Sequence, residues 1–454
     1  MYSLDDTIAA ISTPLGEGGI GIVRLSGPEA RSITEGLFRP RRQGQRLRSY
    51  RLHYGHIVDP ADGTVVDEVL VSFMRAPTSY TRQDVVEINC HGGIVPLRRV
   101  LQLALAAGAR LAEPGELTLR AFLNGRIDLA QAEAVLDIVR ARTDAALRVA
   151  MDQLAGHLSS QVRSLRGQMV QLLAYLEATI DFVEDEIPSH DIGPELAELE
   201  EELTALLAEA QQGLIYRQGV RVAIIGRPNV GKSSLLNALL RVSRAIVTPI
   251  PGTTRDTLEE SCNLQGIPVT LVDTAGISAT ENLVERLGVE RSRQALAQAD
   301  LVLLVVDGSE PLQPQDWEIA HSIGTQPTLV VVNKLDLPQR VDLEGFLART
   351  PRVHLSALMG EGLADLEQTI VDLVFSGRVL ASPTPLVSNP RHQALLQQAR
   401  KGICAAQATL AQGLPNDFVA IDLTEAVAAL GQITGQTVSE DLLEAIFATF
   451  CVGK

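Results

Sequence analysis

Apolar residues in the second quarter of the chain recur at steps of three and four: Leu147, Met151, Leu154, Leu158, Val162, Leu165, Met169, Leu172, Leu176 and Ile180. That spacing puts them on one face of a single long helix or of two stacked ones. An acidic stretch, Glu184 to Glu186, is broken by Pro188 and Gly193; Leu196, Leu199, Leu203, Leu206 and Leu207 then begin a second run, which predicts a helical hairpin. Residues 1–125 read differently. Short β-rich runs (GGIGIVRLSG, VVDEVLVSFM, DVVEINCHGG) alternate with turn signals such as Asp62-Gly63, the pattern of an α+β domain.

At Val220 the texture changes to nearly continuous aliphatic runs separated by helical segments. Strands are expected at Val220–Ile225, Val269–Val272, Leu301–Val306 and Thr328–Val332, apolar throughout as parallel strands buried on both faces should be. This predicts a doubly wound α/β domain. After the linker SPTPLVSNP the chain returns to helix, with Leu395, Leu396, Leu410, Leu423, Ala426, Leu430, Leu442, Leu443 and Ile446 as its apolar positions. The fold class expected is therefore multidomain α+β and α/β: residues 1–125, a discontinuous helical domain of 126–217 and 379–454, and an inserted module of 218–378. The two helical stretches should pack together, because each alone leaves its apolar stripe uncovered.

Composition narrows the function classes. A chain of 454 residues, 46% hydrophobic and 21% charged, buries real cores and exceeds what one core serves. Its longest aliphatic run, Leu301 to Val306, falls far short of the roughly 20 residues of a membrane span, and the start MYSLDD lacks a basic-then-apolar leader, so a cytoplasmic protein is expected. Cys90, Cys262, Cys404 and Cys451 show neither disulfide nor zinc spacing. The net charge of −16 argues against holding nucleic acid by positive field alone. Residues 1–126 carry 15 Arg against 13 Asp and Glu, so the acidity lies downstream.

The run Gly226 to Ser233 (GRPNVGKS) fits G-x-x-x-x-G-K-[ST] and lies between a strand and the helix SSLLNALL. Its glycines let the amides of Asn229, Val230, Gly231, Lys232, Ser233 and Ser234 converge on phosphate. Lys232 can bridge β- and γ-phosphates, and the Ser233 hydroxyl can ligate Mg²⁺. Only four Lys stand against 35 Arg, at 232, 334, 401 and 454, and two of them fall in nucleotide motifs. Asp273-Thr274-Ala275-Gly276 follows the strand VTLVD, placing a carboxylate where it can hold Mg²⁺ through water and the Gly276 amide near the γ-phosphate. Asn333-Lys334-Leu335-Asp336 resembles the guanine-selecting motif of translation-factor-like GTPases, since the Asp336 carboxylate can accept from guanine N1–H and its exocyclic amine. Ser356-Ala357-Leu358 looks like the accessory base-contacting turn. Between the first motifs lies Thr248-Pro249-Ile250-Pro251-Gly252-Thr253-Thr254-Arg255-Asp256, suited either to a switch loop in which Thr254 reaches Mg²⁺ or to an ordinary solvated loop. Ile277 follows Gly276, so the glutamine that orients water in Ras-like enzymes is absent there.

These motifs, their insertion in a helical domain, the segment PGELTLRAFLNGRIDLAQAEAV at 114–135 and the tail FCVGK resemble the MnmE (TrmE) family of bacterial tRNA-modifying GTPases over essentially the whole chain. Val452, where Ile is more usual, and Arg82, where the local pattern is Gly-Glu, depart from that family. The resemblance implies a GTP hydrolase activated by K⁺-dependent dimerisation of its GTPase modules, with Asn229, Thr248, Ile250 and Thr253 as K⁺ ligands, Ser233 and Thr254 as Mg²⁺ ligands, and Glu285 orienting the attacking water. On the residues alone Glu285 is a surface helix position. The N-terminal part resembles the tetrahydrofolate-binding domain of aminomethyltransferases and is, in the family, the homodimer interface. A 5-formyl- or 5,10-methylene-tetrahydrofolate would meet Glu87, Arg24, Arg126 and Lys454, which otherwise read as routine surface ion pairs. Cys451 is either a catalytic thiol or an unreactive residue near the terminus. No G-x-G-x-x-G opens a βαβ unit, so FAD would come from a partner, the family's MnmG, in a heterotetramer or larger assembly. The implied outcome is an aminomethyl or carboxymethylaminomethyl group at C5 of the wobble uridine of certain tRNAs. The alternatives are a ribosome-assembly GTPase switch and an effector-recruiting signalling GTPase.

Overall fold

The computed structural model describes residues 4–42, 44, 46–181, 188, 190–242, 259–273, 296, 298–375 and 386–453. It divides into two compact units: residues 1–136, 159–167 and 430–454, and residues 137–158 and 168–429.

The first unit is built on a seven-stranded sheet of β1 (Ile8–Ile11), β2 (Gly18–Ser26), β3 (Phe38–Pro40), β4 (Leu52–Val58), β5 (Val65–Met74), β6 (Val85–Gly92) and β7 (Arg110–Leu111) in the order β3-β4-β5-β6-β2-β1-β7. All neighbours are antiparallel except β1 and β7. Alternation sends Val23, Leu25, Val69, Val71, Phe73, Val86 and Ile88 to one face. There Ile33 and Leu37 of α1 (Ala30–Leu37) and Leu97 and Val100 of α2 (Ile94–Ala106) cover them. The three β-rich runs become β2, β5 and β6; the short strands β1, β3, β4 and β7 were not anticipated.

The segment after Pro114 forms α3 (Glu116–Leu123), whose Arg120 is 1% exposed and sits in an ion cluster. Its Nη2 donates to Glu116 Oε1 at 3.0 Å and to the Asp6 carboxylate, and its Nη1 donates to the Asp6 carbonyl at 2.8 Å. Arg110 Nη2 reaches the same Glu116 oxygen at 2.5 Å, and the Glu113 amide donates to the other at 2.9 Å. Burial pushes the Glu116 carboxyl up, but the Arg110, Glu113 and Arg120 bonds together hold it below the ordinary range. Asp6 is likewise lowered, against burial, by Arg110 and Arg120.

The remaining elements are α4 (Leu129–Arg140), α5 (Asp144–Leu154), α6 (His157–Asp181), α7 (Gly193–Gln218), β8 (Val220–Ile225), α8 (Lys232–Val242), β9 (Glu259–Leu264), β10 (Ile267–Asp273), β11 (Leu301–Asp307), α9 (Pro314–Ser322), β12 (Thr328–Asn333), β13 (Arg352–His354), α10 (Leu363–Val374), α11 (Pro390–Ala411), α12 (Asn416–Thr434) and α13 (Glu440–Phe447). The apolar stripe from Leu147 to Ile180 is two helices, α5 and α6, parted at Gly156, whose φ is 90°. That break resets the helical phase. Leu158, Val162, Leu165, Met169 and Leu176 are buried, but Leu147 and Met151 are 39% and 49% exposed, and α5 buries Ala146, Val149, Ala150 and Gln153 instead. Helix α7 packs along α11, so helical residues before and after the inserted module do meet within the second unit. Among the described residues no helix is long and apolar enough to cross a membrane.

The second unit's six-stranded sheet runs β13-β12-β11-β8-β10-β9, parallel except for the edge strand β9. All four expected strands are present within one or two residues of their expected ends, and all seven residues of β11 are buried. One face packs Val222, Ile224, Leu303 and Val305 under Leu235, Leu239, Leu366 and Ile370; the other packs Ala223, Val302, Leu304 and Val330 under Ala320 and Phe346. Helices therefore cover both sides, the doubly wound arrangement.

The ion cluster yields a stability prediction. Arg120→Ala takes one of two guanidinium partners from buried Glu116, which keeps Arg110, and removes the Arg120 bonds to Asp6; it should cost about 1–3 kcal/mol, read as a lower urea midpoint. Because Glu116 and Asp6 titrate below their unfolded values, their contribution is complete above about pH 4–5 and is lost as pH falls through the folded-state values. The variant's deficit should therefore shrink on acidification; a deficit unchanged between pH 7 and pH 3 would contradict this account.

Candidate functional site

In the second sheet the order reverses at β8, which lies between β10 and β11, so its carboxyl end opens at the topological switch point. The phosphate-loop segment leaves β8 there and runs into α8. Its shape follows from close approaches that tolerate no side chain. Gly226 has φ 152°, and a Cβ on it would sit 2.4 Å from the Val305 carbonyl oxygen of β11. Gly231 has φ 98°, and a Cβ there would sit 2.2 Å from Asn333 Nδ2. Asn229 takes the left-handed conformation at φ 64°. The Lys232 ammonium, 9% exposed as a residue, donates to the Gly226 and Arg227 carbonyls at 2.7 and 2.8 Å. Val230 is buried, while Ser233 and Ser234 are exposed in the first turn of α8, where unpaired amides and the helix dipole favour an anion.

Asn333, 3% exposed at the end of β12, joins the two halves of the site. Its Nδ2 donates to the Val230 carbonyl at 2.8 Å, and its Oδ1 accepts from the Ala357 amide at 3.0 Å. Phosphate loop and accessory turn thus share one side chain. The buried Ser356 hydroxyl donates to Asp336 Oδ1 at 2.5 Å and accepts from the Met359 amide at 3.1 Å, orienting the exposed carboxylate. The Leu335 amide bonds the Leu355 carbonyl at 3.0 Å, tying the guanine-motif loop to the strand before the turn. Leu358 is 81% exposed.

Asp307, which the sequence reading passed over, is paired in register with Asn333 and accepts from Lys334 Nζ at 2.5 Å. Burial opposes its charge, but Lys334 and the Ser309 hydroxyl and amide hold the carboxyl below the ordinary range. The signal available was an Asp at the end of an aliphatic strand, the same signal that drew attention to Asp273. Lys334 therefore uses its charge to hold the loop, where its own φ is 68°. The backbone of Asp273 ends β10 beside Ile224 of β8; its side chain, together with Thr248, Pro249, Ile250, Pro251, Gly252, Thr253, Thr254, Thr274, Ala275, Gly276 and Glu285, lies outside the described residues.

The expected folate residues are only partly brought together. Arg24 and Glu87 face each other across β2 and β6, with Nη2 to Oε1 at 2.7 Å, and Arg24 Nη1 donates to the Gly453 carbonyl at 3.2 Å. The C-terminal tail therefore meets this pair through its backbone. The Cys451 carbonyl accepts from the Gly115 amide at 3.3 Å, leaving the residue exposed; Lys454 lies outside the described residues. The Arg126 guanidinium lies 4.5 Å from the centroid of the Tyr80 ring, and among the described residues no hydrogen bond or ion pair links it to Arg24 or Glu87.

The residues present fit nucleotide and Mg²⁺: two glycine positions that a Cβ would fill, a cationic side chain on the loop and a hydroxyl at a helix start. Comparison with known proteins agrees. Residues 129–451 match the family described as "MnmE helical domain", and residues 7–126 match "GTP-binding protein TrmE N-terminus". The chain is 54% identical over 454 residues to the tRNA modification GTPase MnmE of Chloroflexus aurantiacus, covering 99% of this chain and 100% of that protein. It is 53% identical over 459 residues to the protein of that name from Geobacillus kaustophilus, with 99% of each covered. The Bacillus subtilis protein of that name is 51% identical over 459 residues, covering 99% of this chain and 100% of that one.

Two substitutions test the geometry. Asn333→Ala breaks two bonds at once and should weaken GTP binding about tenfold or more, at about 1–3 kcal/mol for buried groups left unpaired, measured by calorimetry; unchanged affinity would mean the loops do not depend on this side chain. Asp336→Asn should shift base preference from guanine to xanthine nucleotides in competition assays, and an unchanged GTP preference would remove Asp336 from base selection.

Proposed function

We propose, from the premise that this chain belongs to the MnmE family of tRNA modification GTPases, that it is K⁺-activated and drives folate-dependent modification of wobble uridine. The GTPase activity and the role in tRNA modification come with the family; cation, folate and partner are our reading. The observation that carries the GTPase part is the Asn333 bridge, which makes phosphate loop and base-selecting loops one body. In this reading Lys232 would exchange its loop carbonyls for β- and γ-phosphate oxygens, and Ser233 and Thr254 would hold Mg²⁺, with Asp273 acting through water. Asn229, Thr248, Ile250 and Thr253 would hold K⁺ as two modules meet in a homodimer, and Glu285 would orient the attacking water. Mg²⁺ and K⁺ supply the positive charge that offsets charge developing on the transferred phosphoryl group.

The Arg24–Glu87 pair supports a reduced-folate site near the tail. Glu87 would accept from the pterin amine and ring N–H while Arg24, with Arg126 and Lys454, answers the acidic portion of the ligand. Cys451 remains a candidate thiol beside it. FAD would come from an MnmG-like flavoprotein that joins this homodimer in a heterotetramer or larger assembly and acts with it on tRNA in the cytoplasm. The product would be an aminomethyl or carboxymethylaminomethyl group at uridine C5. We keep a three-part organisation: residues 1–125, helical 126–217 with 379–454, and the GTPase module 218–378.

Hydrolysis measured in K⁺ and in Na⁺ at equal ionic strength should differ by at least tenfold, and equal rates would reject cation activation. Glu285→Ala should lower turnover about 100-fold or more while nucleotide affinity stays within a few-fold; a large loss of affinity would make it a binding residue. Mass spectrometry of tRNA nucleosides from cells lacking the protein should show loss of C5-substituted wobble uridines, and intact modification would turn the reading toward a ribosome-assembly switch.

A further inference from the structure

The second unit contains a feature that the nucleotide chemistry does not use. Helix α5, 11 residues and so about 16 Å long, touches the GTPase sheet at one end and the returning chain at the other. Just before it, Arg142 Nη1 donates to Ser261 Oγ of β9 at 3.3 Å. Ala145 lies against the β9–β10 turn, its Cβ 3.2 Å from where a Cβ on Gly266 would be. In the middle, Val149 belongs to the buried cluster that holds Tyr216, Cys262, Leu264, Ile267 and Val269. At the far end Gln153, 1% exposed, donates through Nε2 to the Leu386 carbonyl and to Ser388 Oγ, both at 2.9 Å.

The segment 386–389 is where the chain comes back from the GTPase module. It is gripped from the opposite side by α7: the Leu386 amide donates to Glu209 Oε2 at 3.3 Å, and Gly213 lies so close that a Cβ would sit 1.9 Å from the Val387 carbonyl oxygen. The outgoing chain is held beside it. Arg217 Nε donates to Asp137 Oδ1 at 2.8 Å, and the Tyr216 ring lies 5.9 Å from that of Phe375 at the end of the module's last helix. The β9–β10 hairpin is joined in sequence to both stretches that bear the nucleotide-sensing motifs, the one ending before Glu259 and the one beginning after Asp273. A displacement of the hairpin therefore has one packed helix between it and the returning chain.

We propose that α5 is the lever by which the helical region reads the nucleotide state of the GTPase module, with Gln153 as the positioning residue at its output end. This rests on the GTPase reading above but not on folate or tRNA chemistry. Two discrete packings of the lever would bias the helical region as a small shift at one contact moves a packed element as a whole. Gln153 suits the output because its amide spans a carbonyl and a hydroxyl and can exchange partners without opening a cavity. Its Oε1 is buried and has no hydrogen-bond partner among the described residues, so an alternative arrangement has an acceptor to use.

The test uses the full-length protein with two variants: Gln153→Leu at the output end, and Arg142→Ala with Ala145→Gly at the hairpin end. Amide hydrogen exchange of 386–389 is compared between GDP and GDP with aluminium fluoride in K⁺ buffer. The wild type should show at least a fivefold nucleotide-dependent change there, and both variants should lose it while GTP turnover stays within about twofold. Absence of the change in the wild type, or its persistence in Gln153→Leu, would overturn the proposal. Wild-type protein that shows the exchange change yet fails to modify tRNA would instead count against the wobble-uridine reading and leave the lever standing.

Discussion

The nucleotide site depends on how closely the phosphate loop approaches two strand ends. Gly226 abuts a carbonyl of β11 and Gly231 abuts the Asn333 amide of β12, so the loop has no room to shift toward the sheet. The same Asn333 holds the accessory turn, which in turn orders Asp336 through Ser356. The phosphate loop, the Asn333–Asp336 loop and the Ser356 turn are thereby placed on one rigid frame. A misplacement of 1 Å at a phosphoryl-transfer site can cost about a hundredfold in rate, which is why a buried amide making two bonds matters more here than its about 1 kcal/mol per bond.

Much of the second unit was legible in the sequence because its chemistry is local. The four parallel strands are continuous aliphatic runs, and each motif sits at a strand's carboxyl end, where a turn of few residues fixes its place. Strand β9 escaped because Glu259 to Leu264 is a polar edge strand, and β13 because three residues carry no period. In the first unit the long strands alternate and could be read; β4 has His, Tyr and Gly among its seven residues and shows no simple alternation of residue type. The stripe from Leu147 onward misled for a different reason. A single left-handed glycine at 156 rotates the helix that follows, so one period in sequence became two faces in space.

Site residues far apart in the chain were the least legible. Arg24 and Glu87 meet because β2 and β6 pair in a register that only the folded sheet defines. Arg126, grouped with them by resemblance, lies over Tyr80, where a guanidinium over an aromatic face gains without needing a carboxylate. The Arg120 cluster was hidden for the same reason: apart from Glu116, one helical turn away, its members Asp6, Gln83 and Arg110 stand where no local spacing announces that they converge. Asp307 joins them in this class, since its partner Lys334 is one strand away.

The neck of the inserted module shows how packing and polarity divide a mechanical task. Val149 and Tyr216 are continuous with the apolar cluster beneath the parallel sheet, and close-packed interiors transmit displacement rather than absorb it. The middle of α5 must therefore follow the module. The far end is polar: Gln153, Ser388 and Asn389 are all buried, and hydrogen bonds among such groups can be exchanged one for another at little net cost. An apolar input with a polar output gives a contact that moves as a body on one side and changes partners on the other. A wholly apolar neck would lock the module to the helices, and a wholly polar one would let it swing without being felt. The observed division is the one that allows the module's state to register as a change of bonding at the returning chain.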